Sequence, residues 1–142
     1  MSTHIMALTY APKIEAVKVG KCCQTIRRYN SDRPKRPGDK LIIHTWAGRP
    51  YRSKWDWRLE TTISRILHLY FPDIQNGIRP TASVQGESAW HISDEMLTAI
   101  AIADGIEDPS AASLRATLKR LNGIDSLFGT EWEVIRWQPE AV

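Results

Sequence analysis

Cysteine is scarce in this chain: there are two, and they are neighbours, Cys22 and Cys23. Adjacent cysteines give no disulfide framework, and they lack the two-residue gap of structural zinc sites. The four histidines, at 4, 44, 68 and 91, are scattered without metal-ligand spacing, so no metal is expected. A glycine-rich phosphate loop, a nucleophile elbow and a dinucleotide fingerprint are all missing, so no cofactor is expected either. No apolar run approaches the length of a membrane helix. The first residues carry no basic cluster ahead of an apolar block, so no signal peptide is read there. The expected setting is therefore reducing and cytoplasmic. Internal repeats and low-complexity segments are also lacking.

What is present suits a single domain. The chain has 142 residues, 42% hydrophobic and 25% charged, enough to bury a real core. Its net charge of +3 conceals an asymmetry. Residues 1–71 hold 14 Lys and Arg against 5 Asp and Glu, whereas residues 72–142 hold 5 against 11. A basic half attracts a polyanion, or it neutralises the acidic half across the fold.

The organising stretch runs from Val17 to Tyr29. Residues 1–4 read as a loose tail, Ile5–Tyr10 as a strand, and Ala11–Val19 as a helix with Pro12 in its first turn. Gly20 stops that helix, since it takes positive φ without a Cβ clash. Cys23–Tyr29 then reads as a strand with Thr25 and Arg27 on one face. Asn30–Gly38 is a basic, proline-bearing loop, and Pro37-Gly38-Asp39 turns into a strand, Lys40–Trp46, buried on both faces. Ala47–Asp56 is a second basic loop and Trp57–Tyr70 a long strand.

Phe71–Gly86 is irregular, and Glu87–Ile92 is a short strand. Ser93 caps a helix bearing Met96, Leu97, Ile100 and Ala103, which ends at Gly105. Asp108-Pro109-Ser110 opens another helix with Leu114, Leu118 and Leu121 as its apolar stripe, and Gly123 ends it. Glu131–Trp137 alternates as a closing strand. Strands at both ends with helices between predict a mainly β, α+β domain spanning 1–142, a small barrel whose last strand pairs back to remove a free edge.

Nine cations, Arg27, Arg28, Arg33, Lys35, Arg36, Arg49, Arg52, Lys54 and Arg58, lie within 32 residues. Tyr29, Trp46, Tyr51, Trp55 and Trp57 are interleaved with them. Cations contact phosphates and aromatic faces stack on unpaired bases, so this region is the candidate nucleic-acid surface. In the alternative reading the tryptophans are core and the arginines a solvated rim; Trp46 is assigned to the core, and at least one of Trp55 and Trp57 to the surface.

Gly20-Lys21-Cys22-Cys23-Gln24-Thr25-Ile26-Arg27, Pro37-Gly38-Asp39-Lys40-Leu41, Ile102-Ala103-Asp104-Gly105-Ile106 and Glu133-Val134-Ile135-Arg136-Trp137 occur in this order. Together they resemble the ASCH domain, a branch of the PUA-like superfamily. The resemblance implies a PUA-like β-barrel with a cleft beside the first helix. It also implies binding of RNA or a modified nucleotide through a cleft lined by Lys21, Thr25, Arg27 and the 33–58 loops. Enzymatic members act as amidohydrolases on acylated cytidine or as ribonucleases. They use a lysine two residues after the glycine, a threonine three further on, and an acid on the later helix. Thr25 and Asp104 match; Cys22 stands where that lysine would be, and Lys21 precedes it. The alternative catalytic set is therefore Lys21, Thr25 and Asp104, with the lysine as base and Arg27 as oxyanion or phosphate holder. Cys22 as a nucleophile is the lesser variant, since a cysteine without a paired histidine is more often a small core residue. A protein–protein adaptor is the third reading.

Overall fold

A computed structural model describes residues 2–72, 81–84 and 90–138, without the side chain of Val84. The elements are β1 (Thr3–Ala7), α1 (Ala11–Lys18), β2 (Gln24–Arg28), β3 (Lys40–Trp46), β4 (Trp55–Phe71), β5 (Thr81–Val84), β6 (Trp90–His91), α2 (Asp94–Ala103), α3 (Ala111–Asn122) and β7 (Thr130–Trp137). They form one α+β unit around a mixed seven-stranded sheet. β4 organises it, because its 17 residues exceed what one pair of neighbours can use. Its first half, Trp55–Thr62, pairs with β3, and its second half, Ile63–Phe71, pairs with β7. β5 adds along Leu67–Tyr70, and β1 lies parallel to β3.

The expected barrel does not close. β1 pairs only with β3 and β2 only with β7, so no ladder joins these two strands among the described residues. A side chain spans the seam instead: Arg27 Nη2 donates to Ala7 O at 2.7 Å. A guanidinium reaching that carbonyl satisfies a group that a closing strand would otherwise take.

Side-chain alternation divides the core. In the β4–β7 pairing, Ile66 lies opposite Ile135 and Leu67 opposite Val134. The first pair joins Met6, Leu41, Ile43 and Val17 in one cluster; the second joins Trp132, Leu97, Ile100, Leu114 and Leu118 in the other. β4 and β7 are thus buried on both faces at their crossing, where the adjacent apolar residues Ile66-Leu67 and Val134-Ile135 face opposite clusters. Each fully buried leucine here contributes about 1.5–3 kcal/mol.

The helix boundaries follow local chemistry. The Ser93 hydroxyl accepts from Met96 N, and Ser110 forms a reciprocal capping box with Ser113. Gly20 (φ +77°) and Gly105 (φ +74°) turn the chain just past α1 and α2. Three expectations change. Leu121, the third residue of the α3 stripe, is 48% exposed, because the stripe turns off the core there. β5 lies in the stretch read as irregular: Thr81–Ser83 has little apolar signal of its own and becomes a strand by pairing with β4. Of the Glu87–Ile92 strand, residues 87–89 lie outside the described residues, and Trp90–His91 forms β6.

The N-terminal tail is not loose from Ser2 onward. Buried Asp39 accepts from Ser2 N (3.3 Å), His4 Nε2 (2.9 Å) and Arg36 N (3.0 Å), and β1 begins at Thr3. The His4 hydrogen bond, followed by the two backbone N–H groups, holds the Asp39 carboxyl below its ordinary range against the cost of burial. A depressed acid pKa stabilises the fold above the unfolded value of about 4 and loses that contribution as pH falls through the folded value. The stability advantage of wild type over Asp39→Asn, measured by urea denaturation, should therefore shrink as pH is lowered through the carboxylate range.

Candidate functional site

β2 follows α1 after one tight turn, so its first residues lie beside the C-terminus of α2 and the first turn of α1. Gln24 is 1% exposed and makes three side-chain hydrogen bonds. Its Nε2 donates to Ile100 O (3.1 Å) and Asp104 Oδ1 (3.2 Å), and its Oε1 accepts from Arg136 Nε (2.9 Å). Asp104 also accepts from Lys13 Nζ at 2.8 Å, in a buried ion pair. One continuous polar chain thus runs Lys13–Asp104–Gln24–Arg136. Removing one member of such a buried pair costs about 3–5 kcal/mol, because the other charge is left unpaired.

A cavity of about 100 Å³ opens beside this chain, between the β1–α1 connection, the edge of β2, the end of α2 and α3. Lys13, Thr25, Arg27 and Asp104 line it, together with Tyr10, Thr117 and Leu121. It is smaller than pockets that enclose whole ligands, and suits a polar substituent. Arg27 Nε donates to Thr25 Oγ1 at 3.2 Å. Burial lowers the pKa of Arg27, opposed by the charge of Asp104. Burial raises the pKa of Asp104 above the ordinary carboxylate range, although Lys13, Gln24 and Arg27 all oppose it.

The expected catalytic set is only partly gathered. Thr25 and Asp104 line one cavity. Lys21 is exposed and lines a separate groove with Gly20, Cys23 and Arg65. Lys13, from α1, occupies the cavity instead. The sequence signal for it was faint: Lys13 is four residues before Val17, on the one buried stripe of a short helix. Cys22 is a core residue: its Sγ donates to Ala103 O at 3.3 Å, and burial raises its pKa, which makes it a poor nucleophile.

The nucleic-acid set divides as well. Lys35 pairs at 3.1 Å with Glu133, itself 1% exposed, so it anchors its loop to β7 and does not meet solvent as a free cation. Arg28 lies 5.2 Å over the Trp132 ring at the surface. Arg33, Arg36, Arg49, Arg52 and Lys54 are exposed, and no carboxylate pairs with them among the described residues. Arg58 is exposed but ion-paired with Glu60.

Trp57 is half-buried against the second core cluster, with Lys18 5.9 Å from its ring centroid. Trp55 is 37% exposed and stacks on His44 at 4.0 Å and 14°. Trp46, expected in the core, lies edge-on to His44 (4.8 Å) and tilted against Tyr51 (5.3 Å). The reason is the irregular register between Thr45 and Trp46, which turns Trp46 toward the hairpin end. Tyr51 is 90% exposed and has φ +62°, in the left-handed region that a tyrosine rarely adopts.

His44 and Arg27 connect the two regions. Burial lowers the His44 pKa, a backbone hydrogen bond at Thr45 opposes this, and the Arg27 charge lowers it further. The guanidinium that faces Asp104 on one side therefore also acts on the imidazole beneath Trp55.

Asp104 has the opposite pH signature to Asp39. A raised acid pKa means that the fold binds the proton more tightly, so the contribution of Asp104 to stability falls as pH rises from about 4 through the folded value. The stability difference between wild type and Asp104→Asn should thus become less favourable to wild type across that interval, as read from urea midpoints at several pH values.

Compared with known proteins, the chain matches no family model, and neither a curated protein nor a solved structure is significantly similar to it.

Proposed function

We propose that this chain binds single-stranded RNA or a modified nucleotide, in the manner of an ASCH-type, PUA-like domain. The observation that carries this reading is the loop between β3 and β4. It holds Tyr51 outward in a strained conformation over Trp46, with Arg49, Arg52 and Lys54 exposed around it and no acid in the loop. An aromatic face ringed by unpaired cations is what a flexible phosphodiester strand requires: phosphates meet the cations and a base stacks on the ring. Arg27 lines the cavity at Thr25 and its charge also reaches His44 beneath Trp55; that cavity would receive a polar substituent of a bound base. The four motifs shared with the ASCH domain support the same class of ligand.

A hydrolase of the ASCH type, acting on an acylated cytidine or an RNA phosphodiester, is the second reading, favoured by the buried Lys13–Asp104 pair beside Thr25. It ranks lower on geometry. Lys13 Nζ is engaged by Asp104 at 2.8 Å and does not reach the Thr25 hydroxyl, which receives Arg27 and makes no hydrogen bond to a base among the described residues. Turnover of an acylated cytidine or of RNA, lost in both Thr25→Ala and Asp104→Asn, would reverse the order.

Fluorescence anisotropy with a labelled single-stranded RNA at several salt concentrations tests the binding reading. Replacing Arg49, Arg52 and Lys54 together by Gln should reduce the slope of log K against log salt by about 2. Tyr51→Ala should cost about 1–3 kcal/mol with the salt slope unchanged. Absent or salt-indifferent binding by wild type would refute the proposal.

A further inference from the structure

The β4–β7 ladder is irregular at one place. Ile63 is opposite Trp137 and Arg65 is opposite Arg136, so Ser64 is the extra residue between the two pairs. Its hydroxyl donates to Arg136 O at 3.1 Å. The consequence is two arginines directly facing each other across a sheet, an arrangement that is unfavourable without a counter-ion. Neither guanidinium has an ion pair among the described residues. Burial lowers the pKa of Arg136, and Arg65 lowers it further.

Arg136 is not loosely placed. Its Nε is held by Gln24 Oε1, which is itself fixed by Asp104 and Ile100. Its terminal nitrogens make no hydrogen bond among the described residues and remain available. The two arginines join Gly20, Lys21, Gln24 and Ser64 around an open groove of about 600 Å³, and among the described residues none that lines it is acidic. Arg65 and Arg136 also border a pocket of about 180 Å³ lined by Leu67, Trp90, Met96 and Ile100. Cationic groove and apolar pocket therefore meet at the arginine pair.

We propose that this junction is a phosphomonoester site, in which Arg65 and Arg136 fork around the phosphate, Lys21 adds a point charge, and a flat organic group lies in the pocket at Trp90 and Met96. Three cations with no carboxylate beside them among the described residues suit a dianion, and a guanidinium pair binds phosphate oxygens bidentately. The organic pocket selects a nucleotide-like ester over free phosphate. The site is separate from the aromatic loop, and it does not require the RNA reading. Its phosphate could come from a free mononucleotide or from the 5′ end of a strand.

Isothermal titration calorimetry at low salt and pH 7.5 tests it with AMP, adenosine, and a short oligoribonucleotide carrying a 5′-phosphate or a 5′-hydroxyl. AMP should bind saturably and adenosine should not. Arg65→Gln and Lys21→Gln, both at exposed positions that leave the buried network intact, should each weaken AMP tenfold or more with no loss of melting temperature. Preference for the 5′-phosphorylated oligonucleotide over its 5′-hydroxyl form assigns the site to strand ends; binding of AMP alone assigns it to free mononucleotides. Either result supports the proposal. No saturable AMP binding by wild type, equal binding of adenosine, or wild-type affinity in Arg65→Gln overturns it. The Arg49/Arg52/Lys54→Gln variant should retain AMP binding whatever happens to its RNA binding, so the two proposals fail separately.

Discussion

The buried amide of Gln24 is the constraint on which the rest of this architecture depends. It is the first residue of β2, yet its side chain binds the C-terminal turn of α2 and a guanidinium of β7. An amide has two donors and one acceptor oxygen, and the structure uses both ends. Linking Lys13 and Asp104 to this amide lets an ammonium and a carboxylate enter the interior hydrogen-bonded, while the guanidinium of Arg136 is held by its Nε alone at the boundary. Because the chain crosses from α1 to β7, it fixes the depth at which both helices and strands meet. The cavity and the cationic groove lie on its two flanks.

The sheet stays open between β1 and β2: no ladder joins them among the described residues, and Arg27 bridges them through Ala7 O. A fully hydrogen-bonded barrel would have no edge and no cavity there. The seam costs backbone pairing and leaves polar side chains able to meet a guest group. That trade is common where a fold carries function, since sites need groups that the core does not consume.

The cations belong to physically different populations. Lys13, Lys35 and the Nε of Arg136 are used internally by Asp104, Glu133 and Gln24. Those of the β3–β4 loop are solvated and unpaired, and suit diffuse attraction to a polyanion. Arg65 and the outer nitrogens of Arg136 are intermediate: they face each other across the sheet, with no acid paired to them among the described residues. Only this last arrangement is preorganised for one compact anion, because its cost was met by folding and is relieved by binding.

Much of the local structure was legible in the chain itself. Proline and glycine positions, the Ser93 and Ser110 caps and the apolar periodicity place three helices and most strands within a residue or two, because these signals act over one turn of backbone. The same local logic marked Thr25, Arg27 and Asp104 as residues of interest. It assigned the wrong lysine to their company, counted Lys35 as a surface cation, put Trp46 in the core and passed over Arg65. It also implied a closed barrel. Each of those outcomes depends on register, a bulge or a contact across many residues: Lys13 meets Asp104 91 positions away, and Arg65 faces Arg136 only because Ser64 is an extra residue in the ladder. The sequence by itself determined where elements begin and end and that one half is basic. Tertiary structure alone decided which charges are consumed and which stay open, since that choice rests on long-range pairing that no local pattern encodes.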